Sequence, residues 1–98
     1  MPIRVDRHSY PEVTEIWGYS PNSIILIMQD GREVKITALR NIKSGALPNY
    51  FACYEERVEV KINGRTYVVW TEADYPWQDG ETIEECLKLA IRWVIDPH

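Results

Sequence analysis

Histidine, cysteine and glycine are scarce in this 98-residue chain, and each shortage removes a class of chemistry. Its two histidines, His8 and His98, and its two cysteines, Cys53 and Cys86, show no metal-ligand spacing. Metal ligation needs clustered His, Cys or carboxylates, so no metal is expected. The five glycines stand singly, which excludes a Gly-rich loop that cradles phosphate, and no cofactor is expected. A Cys–His nucleophilic pair would require Cys53 and His8 to meet through folding alone. No apolar run approaches the ~20 residues of a membrane span, and no N-terminal run resembles a signal peptide. The expectation is a cytoplasmic protein, with both thiols unbonded and buried in a reducing compartment.

What is present describes one small domain over residues 1–98. With 45% hydrophobic and 27% charged residues, the chain has enough apolar matter to fold, and its size buries roughly two-thirds of the unfolded surface. Eleven aromatic residues, four of them Trp, divide between core and contact surface, since Trp and Tyr are enriched in both. The net charge is −4 and is unevenly spread. Residues 31–65 hold seven Lys/Arg against four Glu, whereas residues 66–98 hold seven Asp/Glu against two Lys/Arg. An acidic final third beside a basic middle suits a basic protein partner, or self-association through opposite ends.

Residues 1–11, with Pro2 and Pro11, read as an arm, and residues 12–71 as a β-meander. Glu12–Tyr19 is a plausible strand, and Ser20-Pro21-Asn22-Ser23 has turn chemistry. The apolar run Ile24–Met28 and the alternating run Glu33–Leu39 flank Asp30-Gly31, a hairpin signal of the two-residue type I′ kind. Asn41–Asn49 reads as a loop, and Tyr50–Tyr54 as a strand start or a connector. Val58, Val60 and Ile62 alternate with Glu59 and Lys61, and Asn63-Gly64 turns the chain into a second hairpin with Arg65–Thr71. Residues 72–81 form an acidic aromatic loop. A helix over 82–95 starts at Thr82 as N-cap with Glu85 completing a capping box. Its apolar stripe is Ile83, Cys86, Leu87, Ala90, Ile91 and Val94. The fold class is α+β, an antiparallel sheet of about five strands packed against one C-terminal helix.

Turn length fixes which side chains share a face. A two-residue Asp30-Gly31 turn opposes Ile27 to Val34 and Ile25 to Ile36, an apolar face for the helix. Ile24, Leu26 and Met28 then join Val68 and Trp70 on the reverse side, beside Glu33, Lys35, Glu59 and Lys61. These five apolar residues are a candidate interface, covered by the arm and the 41–54 loop, by a second copy, or by a partner. In the 72–81 loop, Tyr75 and Trp77 stand among Glu72, Asp74, Asp79 and Glu81. Aromatic anchors ringed by acid suit a basic partner, although Trp77 could instead staple the loop to the helix.

Other chemistry is thinner. Glu55-Glu56, Glu84-Glu85 and Glu72/Asp74 offer paired carboxylates, but acid–base work needs one desolvated in a cleft. Arg32, Lys35, Arg40, Lys43, Arg57, Lys61 and Arg65, with Tyr50, Phe51 and Tyr54 for stacking, would serve a nucleic-acid surface. Interleaved acids and the lack of a recognition helix argue against nucleic acid.

The order of features Tyr19 to Leu26, Asp30-Gly31, Val34, Phe51, Trp70, Asp74 and Leu87 resembles a bacterial domain-of-unknown-function family, number twenty-four forty-two. The likeness spans roughly residues 12–90 and rests on turn and core residues. Thr71-Glu72-Ala73 stands where the family usually has Asn-Gly, and the 40–57 stretch is longer. The resemblance implies a small non-enzymatic protein, in some cases found beside toxin-like genes, and supplies no catalytic residues. The resulting expectation is a bacterial or phage protein-interaction module, an acidic inhibitor of the antitoxin or immunity kind. The alternatives are a homodimeric structural or regulatory domain joined through the Leu26 and Trp70 face, a nucleic-acid-binding module through the basic central third, and a small carboxylate enzyme.

Overall fold

A computed structural model of the chain describes residues 10–41, 49–75 and 79–96. Strands β1 (Val13–Ser20), β2 (Ser23–Met28), β3 (Glu33–Asn41), β4 (Asn49–Ile62) and β5 (Arg65–Glu72) form an antiparallel meander in chain order. The two-residue β6 (Asp79–Gly80) pairs with the first half of β4, and helix α1 (Ile83–Ile95) follows. The architecture is α+β, five expected strands with a short sixth.

The first hairpin turns differently from its sequence signature. The Gly31 N–H donates to the Met28 carbonyl at 3.0 Å and the Met28 N–H to that of Arg32 at 2.8 Å. Three residues, Gln29–Gly31, therefore span the turn, and Gly31 at φ +94° takes its left-handed position. The Asp30 carboxylate accepts from the Arg32 N–H at 3.0 Å and from its Nε at 2.8 Å, holding Arg32 in place to close the loop. Ile24 now opposes Ile36 and Leu26 opposes Val34, one residue away from the expected pairing. Because side chains alternate along a strand, that slip exchanges the faces. Ile24, Leu26 and Met28 are core residues, and Ile25 and Ile27 take the outer face.

The second hairpin follows its signature. Asn63 and Gly64 both have positive φ, 51° and 79°, and Val60 opposes Tyr67 while Val58 opposes Val69. Residues 50–54, read as a strand start or a connector within the 41–54 segment, belong with Asn49 to the first half of a 14-residue strand. No Gly or Pro interrupts residues 49–62, so nothing breaks that strand into two. Residues 1–9 of the arm and 42–48 of the loop lie outside the described residues, as do His8, Lys43 and His98.

The core lies between one sheet face and α1. Val13, Ile24, Leu26, Met28, Val34, Ile36, Ala38, Ala52 and Tyr54 meet the stripe Cys86, Leu87, Ala90, Ile91 and Val94, all buried, with Ile83 half-buried beside them. Thr82 caps the helix, its Oγ1 accepting from the Glu85 N–H at 3.0 Å, with Glu84 and Glu85 at the positive end of the dipole. At Gly80 a Cβ would fall 2.6 Å from the Cys86 nitrogen and 2.8 Å from its Cα. Only glycine lets β6 pass this close to the first turn of α1. Asn22 ties the β1–β2 turn to β3, its Nδ2 donating to the Ala38 carbonyl at 3.0 Å.

Candidate functional site

The two halves of β4 have different neighbours. β3 pairs with it from Asn49 to Glu56, whereas β5 pairs with it from Glu55 to Ile62. Beyond Glu56 the β4–β5 hairpin is a two-stranded arm with no third strand among the described residues. One side of the arm sets Val58 against Val69 and Val60 against Tyr67, continuing the helix-facing side of the sheet past the residues that α1 buries. The other side carries Arg57, Glu59 and Lys61 opposite Trp70, Val68 and Thr66. Ile62 is 54% exposed, Val68 48% and Tyr67 45%. A hairpin alone is marginal in water, and this one exposes apolar side chains on both of its sides.

The sheet face away from α1 is organised around Lys35. Its Nζ lies 4.7 Å from the ring centre of Tyr19 and 4.8 Å from that of Trp70, and 3.7 Å from Glu55 Oε1. Cation–π and ionic attraction thus hold a lysine that is only 13% exposed in its side chain. Beside it, Arg57 bridges Glu33 at 3.2 Å and Glu59 at 3.3 Å. The periphery of this face is apolar. Trp17 is 56% exposed and Tyr19 63%, with Ile25, Ile27 and Phe51 half-buried. Among the described residues the sheet is two-faced, with a partly apolar face on the side away from α1, but the membership of that face is corrected. Val68 and Trp70 belong to it, while Ile24, Leu26 and Met28 lie on the opposite side, in the core.

The acidic aromatic segment is divided by the fold. Glu72 is exposed at the end of β5, opposite Glu55. Asp74, Asp79 and Glu81 are exposed, while Trp77 lies outside the described residues. Tyr75 turns inward. Its hydroxyl donates to Glu56 Oε1 at 2.5 Å and accepts from Arg32 at 3.1 Å, and its ring packs 5.1 Å from that of Tyr54. Burial, then the bond to Glu56, pushes the Tyr75 phenol up to about 12. Tyr75 is thus a tie between β4, the first hairpin turn and the 73–75 segment. The four carboxylates form an exposed acidic band at this end of the sheet.

The residues of the other readings are dispersed. Arg32, Lys35 and Arg57 are engaged in ion pairs, and Tyr54 is buried in the core. Cys53 is half-buried on the outer face and unbonded; Cys86 is buried and unbonded. Burial first, then Glu72 and Glu55, push the Cys53 thiol up, opposite to what a nucleophile needs. Among the described residues no group of three His, Cys, Asp or Glu is placed to hold a metal. Sequence reasoning missed the arm because it treated residues 50–54 and 58–62 separately. The signal was the uninterrupted 50–62 run, longer than the 33–39 run that could pair with it. No family model matches the chain, nor does any curated protein or solved structure.

Proposed function

We propose that this protein is a non-catalytic interaction module that presents the β4–β5 arm and the adjoining outer face to another polypeptide. The observation that carries this reading is the arm, which exposes apolar side chains on both sides and, among the described residues, receives no third strand. Tyr67 and Trp70 supply aromatic contact area, and the flanking charges set orientation and encounter rate. Replacing Glu59–Val68 by Asn-Gly places a two-residue turn between the opposed Val58 and Val69 and leaves the core residues in place. The shortened chain should fold and lose the polypeptides that the intact chain retains, including copies of itself. Retention of the same set would refute the reading.

The exposed band of Glu72, Asp74, Asp79 and Glu81 supports a finer form of the same proposal, an acidic inhibitor of the antitoxin or immunity kind that masks a basic surface. The band lies at the base of the arm, so a partner on the arm would also meet it.

A further inference from the structure

Among the described residues the outermost strands of the sheet are β1 and β5, and they are built differently; the remaining open edge, β4 beyond Glu56, is blunted by its charged Arg57, Glu59 and Lys61. The register between β1 and β2 shifts twice, between Val13 and Glu15 and between Gly18 and Ser20. Such irregularities are a common way of blunting an edge against strand addition. β5 keeps an unbroken register with β4 from Arg65 to Glu72, and no described strand pairs with its other side. Its middle, Thr66–Trp70, contains no proline, glycine or charged residue. The two-residue turn makes Ile62 and Arg65 a hydrogen-bonded pair, so the backbone groups of Thr66, Val68, Trp70 and Glu72 point outward.

The charge along this edge is arranged end to end. The tip of the arm carries Lys61 and Arg65, opposite Thr66 and Ile62, while the base carries Glu72 opposite Glu55, with Asp74 beyond. Two such edges placed antiparallel about a two-fold axis at Val69, which keeps outward-pointing backbone groups opposite one another, set Glu72 of each against Thr66 of the other, on the same face as Lys61 beside it. The apolar middle of each then meets itself. Building on the proposed arm interaction, we infer that its occupant is a second copy of this chain, joined β5 to β5 across the two-fold axis. The contact runs over about 23 Å, seven residues at ~3.3 Å each, and closes as a pair because the surface is isologous.

Charge reversal tests this directly. Sedimentation of the full chain, with circular dichroism as a check on folding, should show a dimer. Lys61→Glu and Glu72→Arg should each weaken it by about tenfold, since symmetry turns two attractive contacts into repulsive ones. The double variant should restore it. Glu72→Arg also removes the like charge facing Glu55 within the chain, so its effect is not a loss of folding. A wild-type monomer at high concentration, or a dimer indifferent to the reversals, overturns the inference. If the monomer still binds a different polypeptide through the arm, self-pairing fails while the interaction module stands. If arm shortening changes no association at all, both fail.

Discussion

Leu26 and Ile27 are neighbours whose truncation should have very different costs. The three-residue turn at Gln29–Gly31 puts Leu26 in the core at 0% exposure and leaves Ile27 half-buried on the outer face. Leu26→Ala removes three carbon groups at ~0.8 kcal/mol each, and the residual cavity adds to that, for roughly 3–4 kcal/mol. Ile27→Ala removes the same number of carbons from a side chain already half in water, for roughly 1 kcal/mol. A domain of this size melts about 4–8 °C lower per kcal/mol lost, so Leu26→Ala should fall by at least about 12 °C and Ile27→Ala by well under 10 °C. Urea unfolding of the two variants against wild type measures the difference. Equal losses, or a larger loss at Ile27, would mean that the hairpin turns through two residues and that the faces are the reverse of those described.

Three other perturbations address separate joints of the fold. Gly80→Ala should destabilise by about 1–3 kcal/mol, because the new methyl meets backbone atoms of Cys86 that cannot move aside without shifting the helix start; a denaturant midpoint equal to wild type would contradict this. Tyr75→Phe should cost about 0.5–1.5 kcal/mol and remove a late-titrating phenol from the ultraviolet titration. The Tyr75 phenol is raised to about 12 in the fold against an unfolded value near 10, so its contribution is complete below about pH 10 and lost as the pH rises to about 12. The fall in stability across that window should be smaller in Tyr75→Phe, and an unchanged pH profile would refute the tie to Glu56. The charge reversals at Lys61 and Glu72 report on the β5 edge in the same way.

The helix was fully legible in the sequence. Thr82, Glu85 and the stripe from Cys86 to Val94 are local signals, and each acts over a single turn or repeats at helical spacing. Asn63-Gly64 was legible for the same reason, since two adjacent residues can both take positive φ there. Asp30-Gly31 carries a similar signature but a different outcome. Only Gly31 has positive φ, and Arg32, held by the Asp30 side chain, closes a longer loop. That one residue decided which side of β2 faces the helix, and with it which residues form the outer surface. The arm was illegible from either hairpin alone, because it arises from the mismatch between β4 and the shorter run of β3 that pairs with it. Tyr75 was read as an aromatic anchor for a partner, and its bonds to Glu56 and Arg32 were illegible because both come from distant parts of the chain.

On the proposed reading, the arm serves association and contributes little to the fold. The decisive measurement is sedimentation of the chain in which Asn-Gly replaces Glu59–Val68, paired with its thermal melt. The account predicts a melting temperature close to wild type together with loss of association. A chain that no longer folds, or one that folds and associates as before, would contradict it.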